Sequence, residues 1–363
     1  MLRAGPIHSM QSFSQFISQA GDEEILTIAP CRADLAGGTL DIWPLYLFHP
    51  GAVCVNIALN VLTACRITPR AGGEILLKSH DTGREQGFAG LDELLTTKSY
   101  THPLAASLVR FFRPVEGFLL ETHSESPAGA GISGSSALMI ATTAALARFV
   151  GQQIDSEQIR VIAQNIEAQL IRVPTGCQDY YPALYGGVSA VHLEVAGIWR
   201  EPIAIPPTEL NQRFVLFYTG VPRRSGINNW KVFKQHLDGD RQVVRNFAEI
   251  AHIAQAMHHA LAEEDWDAVR DLMLQEWKLR RANAPGITTP MIETLIEVAK
   301  RYGARAAKVC GAGGGGCVIA LVEKGSRPEV ENALRERGGQ PLDFQVAPEG
   351  LRFHAERRPA AKI

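Results

Sequence analysis

The chain has 363 residues, of which 46% are hydrophobic and 20% charged, and its formal net charge is -2. That length allows two domains with a sizeable core, and the near-neutral charge gives no electrostatic basis for binding nucleic acid or an anionic membrane. No stretch reaches about eighteen uninterrupted apolar residues, and the first residues lack the basic-then-apolar pattern of a secretion signal, so we expect a cytoplasmic protein.

The first ordered element in chain order is a predicted strand, Ile25–Ala29, after a lead-in with at most one short helix. The segment that follows, APCRADLAGGTLDIWPLY, gathers a basic residue, two acids and a glycine pair: Arg32, Asp34, Asp41, Gly37 and Gly38. Aspartates beside glycines are typical of turns. Carboxylates also accept hydrogen bonds from polyol hydroxyls, and arginine binds phosphate, so a substrate site is the second interpretation.

Further strands are predicted where the chain alternates or runs apolar, and helices where apolar residues follow a helical period. The predicted strands are a pair at Ala52–Leu59 and Leu62–Thr68, then Glu74–Ser79, Phe118–Thr122, Val188–Val195 and Arg213–Tyr218. The predicted helices are Tyr100–Phe112, Ser135–Val150, Glu157–Ile171, Trp230–Gln235, Arg241–Glu263, Trp266–Arg281 and Pro290–Tyr302. The proline-rich stretch at 205–210 marks a domain boundary, which gives domains 1–205 and 206–363. The tail after Arg352 is expected to be disordered.

The most informative stretch connects a strand to a helix through three glycines and two serines: Gly129, Gly131, Gly134, Ser135 and Ser136. The helix is so uniformly small and apolar that it must be buried nearly all round. Its first turn presents unpaired N–H groups and the positive end of the helix dipole, which is the chemistry of a phosphate cradle. A tight turn packed on a helix, with no ligand, is the alternative explanation.

The glycine spacing also fits two known phosphate-binding patterns. It has the Walker A spacing but carries serine where the lysine belongs, which disfavours an ordinary P-loop NTPase. It satisfies GxGxxG as well, so a nicotinamide-dependent dehydrogenase stays open as an alternative, although the loop lies a third of the way into the chain.

Two carboxylates and a second glycine run lie further along the chain. Glu167 lies on the helix after the buried one, and Asp179 follows twelve residues later. The second run, Gly311 and then Gly313 to Gly316, interrupts two predicted strands. Because each glycine in an ordered element has an entropic cost, the run suggests a backbone that approaches a ligand closely, although a plain hairpin would also account for it.

The six cysteines are scattered without a C-x-x-C pair, which argues against a zinc-cysteine site or a disulfide framework. We interpret them as reduced core residues.

Three segments, APCRADLAGGTLD, SPAGAGISGSSAL and KVCGAGGGGCVIAL, together resemble the three motifs of the GHMP kinases, the superfamily of galactokinase, homoserine kinase, mevalonate kinase and phosphomevalonate kinase. The similarity covers roughly residues 25–325 and is strongest to the kinases of D-glycero-D-manno-heptose 7-phosphate and to fucokinases. Further matches are Gln178-Asp179-Tyr180 with Gly186-Gly187, and the loop Thr219–Ser225. The chain departs from galactokinases where Gly38-Thr39 replaces Glu-His, which makes galactose a poor candidate, and Cys31 replaces a common glycine.

The resemblance implies an α+β protein of two domains. The N-terminal half would be like the second domain of ribosomal protein S5, the C-terminal half would be ferredoxin-like, and ATP would lie in the cleft between them. The implied activity is ATP- and Mg²⁺-dependent phosphorylation of a hydroxyl on a sugar or sugar phosphate, with a heptose 7-phosphate-like acceptor favoured. A free-sugar kinase of the fucokinase or galactokinase type, and a non-catalytic sugar or nucleotide sensor, are the alternatives. No nucleic acid or membrane partner is expected, and a homodimer is left open.

Residue roles also follow from the resemblance. Asp179 would act on the acceptor hydroxyl with Arg32 beside it, and Ser135 or Ser136 would hold Mg²⁺ with Glu167. The nucleotide loop would be Pro127, Gly129, Ala130, Gly131, Ile132, Ser133, Gly134, Ser135 and Ser136. Substrate contacts would come from Gly37, Gly38, Thr39, Asp41, Gln178, Arg223, Arg224, Gly313, Gly314 and Gly315. From the residues alone, a solvated helix carboxylate is favoured for Glu167, and for Arg32 a surface ion pair with Asp34 is an equal alternative to a role in the site.

Overall fold

Strands and helices are interspersed along the chain, which a computed structural model describes for residues 10–21, 23–223 and 227–355. The strands are β1 (Ile25–Ala36), β2 (Val53–Arg70), β3 (Ile75–Ser79), β4 (Arg84–Phe88), β5 (Gly117–Ser124), β6 (Val188–Glu194), β7 (Gly197–Pro202), β8 (Phe214–Tyr218), β9 (Ala304–Val309), β10 (Cys317–Val322), β11 (Gln340–Leu342) and β12 (Arg352–Ala355). The helices are α1 (Met10–Ser18), α2 (Leu91–Thr96), α3 (Pro103–Phe112), α4 (Gly134–Phe149), α5 (Ser156–Ile171), α6 (Tyr180–Tyr185), α7 (Pro207–Arg213), α8 (Ile227–Leu237), α9 (Arg241–Ala262), α10 (Trp266–Ala282), α11 (Pro290–Arg301) and α12 (Arg327–Glu336), with a 3₁₀ turn at Leu45–Phe48.

The larger sheet is built around β2. Within the described residues this sheet has eight strands, in the order β12-β1-β2-β5-β3-β4, with β6 paired to β2 and β7 to β6. The first half of β2 pairs with β6 and its second half with β5, while β1 runs along its other edge. Among these pairings only β3 with β5 is parallel. β2 is therefore long enough to join the hairpin β6–β7 to the rest of the sheet.

Helix α4 is the centre of the first half. It packs against β1 and β2 and is flanked by α3, α5 and α6. Ala137, Ile140, Ala141 and Ala145 have no exposed surface, which confirms the prediction of a helix buried nearly all round. The small side chains let the helix backbone come close to the sheet, where the Thr27 hydroxyl on β1 donates a hydrogen bond of 2.8 Å to the Ala141 carbonyl.

The second half is an antiparallel sheet covered by helices. Its order within the described residues is β11-β8-β10-β9. Helix α10 packs on β9, α11 on β9 and β10, and α12 on β8 and β11, while α9 packs on α10 and also reaches β1 and β2. Helix α9 is therefore one of the elements that join the two halves. No helix in the described ranges has the length and apolar character needed to cross a bilayer.

The α+β class and most of the predicted elements are confirmed, but three local predictions are wrong. β1 does not end at Ala29; it continues to Ala36 because its polar residues find partners across the molecule and need no turn. The pair of strands at 52–68 is the single strand β2, since Asn60, which interrupts the apolar pattern, donates its N–H to the Gln345 carbonyl at 2.9 Å. The tail is not disordered throughout, because β12 pairs with β1.

Several short elements gave no signal in the sequence, namely β4, β7, β11, α2, α6, α7 and α12. They are short or lie at sheet edges, so their segments are too short to show a helical or a strand periodicity of apolar residues.

Candidate active site

A polar pocket of about 370 Å³ lies where β1, the glycine loop before α4 and the segment after β9 meet. Both halves contribute to its walls. Most of the predicted nucleotide-loop residues line it: Pro127, Gly129, Ala130, Gly131, Ser133, Gly134, Ser135 and Ser136. The predicted residues Arg32, Gly38, Thr39, Asp41, Glu167, Gln178, Asp179 and Arg223 line it as well.

The glycine loop needs glycine for both conformation and space. Gly129 and Gly131 have φ of 70° and 75°, in the left-handed region. A Cβ on Gly129 would lie 2.9 Å from the Pro222 Cβ, and one on Gly131 would lie 3.0 Å from the Arg223 Nε. The loop is therefore packed tightly against residues 221–223 from the second half.

Helix α4 begins directly after the loop, and its first N–H groups are not capped by a side chain. Ser133 occupies the N-cap position with a φ of 63°, and its hydroxyl makes no capping hydrogen bond. Helix N-termini of this kind bind anions, because free N–H donors and the positive end of the helix dipole act together. The start of α4 can thus hold a phosphate group in the pocket.

The buried carboxylate of Glu167 lies beside this helix start. Its Oε2 accepts hydrogen bonds from the Ser136 hydroxyl at 2.9 Å and the Tyr180 hydroxyl at 2.6 Å. Burial raises the pKa of Glu167, an effect that these hydroxyls oppose and Asp179 reinforces. In the described part of the chain no basic side chain forms an ion pair with Glu167. Because Mg²⁺ binds carboxylate and hydroxyl oxygens, a divalent cation fits the donor set of Glu167 with Ser135 and Ser136.

Arg32 holds Asp179 in the same pocket. Its Nε and Nη2 donate to Asp179 Oδ1 at 2.8 and 2.6 Å, and its Nη1 donates to the carbonyls of Gly131 and Cys310 at 3.1 and 2.6 Å. Burial alone would lower the pKa of Arg32, but Asp179 and Asp34 outweigh it and the pKa is raised. Arg32 therefore stays charged, and since it contacts only Oδ1, the Oδ2 of Asp179 is left for the pocket. The interpretation of Arg32 as a surface ion pair with Asp34 is wrong, because Arg32 is buried.

Asp41, Gln178 and Thr39 form another side of the pocket. Asp41 Oδ2 accepts the backbone N–H of Gln178 at 2.9 Å, and the Thr39 hydroxyl donates to Asn229 Oδ1 at 3.3 Å. Burial, and then the nearby Asp179 carboxylate, raise the pKa of Asp41 to about 6. The Gln178 Oε1 is buried without a hydrogen-bond partner among the described residues. This side of the pocket thus offers acceptors for hydroxyl groups.

A buried charge network that the sequence analysis missed supports the same wall. Lys308 Nζ donates to Asp34 Oδ2 at 2.7 Å and lies 3.4 Å from Glu276 Oε2. Arg280 bonds to Glu276 and donates to the Gly38 carbonyl at 3.0 Å. Lys308 lies next to the third glycine motif, so its position in the chain was a usable signal. Arg280 and Asn229, which also line the pocket, lie on helices with no distinguishing pattern.

Some predicted residues do not reach the pocket. Ile132 and Gly37 are absent from its walls, as are Gly313, Gly314 and Gly315. A Cβ on Gly313 would lie 2.2 Å from the Ile287 carbonyl oxygen, and one on Gly315 would lie 2.6 Å from that of Val221. These glycines let one backbone pack against another, and Gly311 and Ala312 form the wall instead. Arg224 lies outside the described residues.

Phosphoryl transfer to a hydroxyl depends on anion binding, charge stabilisation and positioning of the acceptor. One pocket supplies all three requirements: the start of α4 can bind an anion, the Glu167 carboxylate can bind a cation, and the Arg32–Asp179 pair can position the acceptor. This combination defines the class of a small-molecule kinase. Comparison with known families agrees: the GHMP kinases N terminal domain matches residues 99–187 and the GHMP kinases C terminal region matches residues 257–340. The chain therefore carries the N- and C-terminal domains of the GHMP kinases, a family of ATP-using phosphotransferases, and the dehydrogenase alternative is removed.

The relatives that match nearly the whole chain include sugar kinases and a mevalonate kinase. The chain is 26% identical to the D-glycero-alpha-D-manno-heptose 7-phosphate kinase of Campylobacter jejuni, over 90% of this chain and 98% of that protein. It is 25% identical to the bifunctional fucokinase/GDP-fucose pyrophosphorylase of Arabidopsis thaliana, over 87% of this chain and 31% of that protein. Its fold matches the crystal structure of a D-glycero-D-manno-heptose 1-phosphate kinase from Bacteroides thetaiotaomicron, with a TM-score of 0.73, 21% identity, and coverage of 91% and 98% of the two chains.

Proposed function

We propose that the protein uses ATP to phosphorylate a hydroxyl of a sugar phosphate, with a heptose 7-phosphate-like sugar as the acceptor. The observation that carries the proposal is the Asp179 carboxylate, held through one oxygen by Arg32 in the pocket that the glycine loop also lines. The likeness to a heptose 7-phosphate kinase over nearly the whole chain supports the choice of acceptor.

In this proposal Asp179 Oδ2 accepts the proton of the acceptor hydroxyl while Arg32 fixes the orientation of the carboxylate. The loop N–H groups at the start of α4 hold the ATP phosphates. The loop has no Walker lysine, and Mg²⁺, when bound, would supply the missing positive charge. Ser135, Ser136 and Glu167 are the residues that would hold it.

The part of the pocket lined by Asp34, Asp41 and Gln178 favours a polyol. Asp34 Oδ1 and Gln178 Oε1 are buried acceptors without hydrogen-bond partners among the described residues. A buried acceptor without a donor costs about 1–3 kcal/mol, so hydroxyl donors of a sugar would relieve both. The Asp41 carboxylate adds a third acceptor on the same side.

Arg223 is the candidate for a phosphate contact. A Cβ on Gly311 would lie 2.9 Å from its Nη1, and its Nε is buried without a hydrogen-bond partner in the described part of the chain. Burial and then the neighbouring Arg32 lower the pKa of Arg223. A guanidinium with these surroundings is stabilised by an anion. Its place beside the glycine loop favours the phosphoryl group in transfer over a phosphate already on the acceptor.

The proposal is tested by measuring ATP consumption with a matched panel of free and phosphorylated heptoses and hexoses, with Asp179→Asn as the inactive control. We expect turnover with heptose 7-phosphate at least ten times as efficient as with the free heptose. Preference for a free sugar would support a kinase of the fucokinase type. Binding of ATP and sugar without turnover would support a sensor on the same scaffold.

The proposal also places the enzyme in the cytoplasm, without nucleic acid or membrane partners, and divides it into domains 1–205 and 206–363. Sedimentation analysis would decide between a monomer and a homodimer.

A further inference from the structure

Three side chains that commonly bind metals meet outside the kinase pocket. His192 lies on β6, Glu201 on the neighbouring β7 and His258 on α9. One carboxylate oxygen of Glu201 lies 2.9 Å from His192 Nε2, and the other lies 3.5 Å from His258 Nε2. None of the three residues lines the pocket that holds Asp179. The cluster is therefore separate from the phosphoryl-transfer site.

The spacing of the cluster is close to that of a tetrahedral metal site but wider. One ligand atom from each residue can be chosen so that all three lie within 4.8 Å of one another. In tetrahedral zinc sites, bonds of about 2.0–2.1 Å place neighbouring ligand atoms roughly 3.3 Å apart. Small side-chain rotations, without movement of the backbone, would bring the two imidazole nitrogens and one carboxylate oxygen to these separations.

The ligands are also held in place before any ion binds. The His192 ring stacks on Trp199, its cross-strand partner, with 3.9 Å between ring centroids and an interplanar angle of 7°. His258 lies on the part of α9 anchored by the buried Met257 and Leu261. Such orientation lowers the conformational entropy lost on binding.

The donor atoms of the cluster suit a metal cation. A neutral imidazole offers the lone pair that a metal needs, and Glu201 supplies a negative charge. Two histidines with one carboxylate form a common ligand set for zinc, in which a water molecule takes the fourth position.

We propose that His192, Glu201 and His258 bind one transition-metal ion, with Zn²⁺ the preferred metal and a water molecule as the fourth ligand. The ion ties the β6–β7 hairpin of the larger sheet to helix α9, which packs on α10 in the second half. Its role is structural, and it stabilises the contact between the two halves.

The experiment uses the full chain, stripped with a chelator and dialysed. Calorimetric titration with Zn²⁺ is expected to give one ion per chain, and Co²⁺ should give the visible absorption bands of a tetrahedral site. His192→Ala and His258→Ala should each abolish this binding, while His252→Ala, an exposed histidine on the same helix, should leave it unchanged. Kinase activity, measured with Mg²⁺ and ATP, checks that all three variants are folded.

Zn²⁺ at about one hundred times its dissociation constant should raise the melting temperature of the wild-type chain by a few degrees, and that of the two binding-site variants not at all. Failure of the wild-type chain to bind Zn²⁺ or Co²⁺ stoichiometrically overturns the proposal. Binding of wild-type strength in both His192→Ala and His258→Ala overturns it equally, since the ion would then be held elsewhere. Neither result bears on the kinase assignment.

Discussion

Asp34 and Asp41 are two buried carboxylates on one segment of the chain, and replacing each by asparagine should change the free energy of unfolding in opposite directions. Their relative exposures are 1% and 3%, so the comparison is matched for burial. Asp34 pairs with Lys308 at 2.7 Å. Within the described residues, Asp41 forms no ion pair, and its short contact is the backbone N–H of Gln178.

For Asp41 the ionised form costs stability. Its pKa is about 6 in the folded protein against 3.8 for the free side chain, because burial and Asp179 disfavour the charge. A difference of about two pKa units corresponds to roughly 3 kcal/mol at neutral pH. Because the folded-state pKa is the higher one, this cost is complete above about pH 6 and disappears as the pH falls below about 4. Asp41→Asn should therefore raise the unfolding free energy by up to about 3 kcal/mol at pH 8, with the gain vanishing near pH 4.

For Asp34 the sign is reversed. Burial would raise its pKa, but Lys308 and then Arg280 outweigh it, so the pKa is lowered. Stability from a lowered pKa is present above the unfolded value and is lost as the pH falls through the folded value. Asp34→Asn removes one partner of a buried ion pair, which typically costs about 3–5 kcal/mol. The loss should be largest at neutral pH and smaller in acid.

Urea unfolding of the wild-type chain and both variants at about pH 8 and pH 4.5 measures these changes. The acceptor KM of Asp41→Asn should rise although the variant is more stable, which is the pattern expected of a strained functional residue. Equal destabilisation by both substitutions at pH 8, or an Asp41→Asn gain that persists unchanged in acid, would refute the reasoning.

Three further substitutions test the proposed roles. Asp179→Asn should lower kcat by about 10²- to 10⁴-fold while ATP still binds. Single-turnover kinetics and nucleotide titration measure the two effects, and if more than about a third of kcat remained, Asp179 would be structural. Glu167→Gln keeps its hydroxyl partners but loses the charge, so the Mg²⁺ concentration for half-maximal activity should rise, and an unchanged metal dependence would remove Glu167 from the site. Arg223→Ala should lower kcat/KM by about 10- to 100-fold on free and phosphorylated acceptors alike, because charge-assisted hydrogen bonds are lost. A loss confined to the phosphorylated acceptor would instead place Arg223 at the acceptor's own phosphate.

The glycine loop and α4 could be predicted from the sequence because their information is local. Glycines at the positions of positive φ, serines at the helix start and a run of small apolar residues all lie within one short stretch. The buried carboxylate Glu167 could not be recognised from its own helix. Its burial depends on Ser136 and Tyr180, which come from α4 and α6.

The second glycine run shows a different limit of sequence analysis. The run of glycines correctly indicates that something approaches this backbone closely, but the sequence does not say which part of the molecule it is. A Cβ on Gly316 would lie 2.6 Å from the Ala130 carbonyl oxygen, so the neighbour there is the phosphate loop itself. The run therefore lets the two loops pack together, and in the proposed function its effect on the nucleotide would be indirect.

The extension of β1 through Ala36 has a consequence for the candidate active site. Residues two apart on a strand point to the same face, and on β1 these are Arg32 and Asp34. Arg32 Nη1 donates to the Cys310 carbonyl at 2.6 Å, and Asp34 accepts from Lys308 Nζ at 2.7 Å. Both contacts reach the end of β9 in the other half of the molecule. The packing of β1 against the end of β9 that buries the Asp34–Lys308 pair thus also holds Arg32 next to Asp179, so weakening the buried pair should also loosen the Arg32–Asp179 pair.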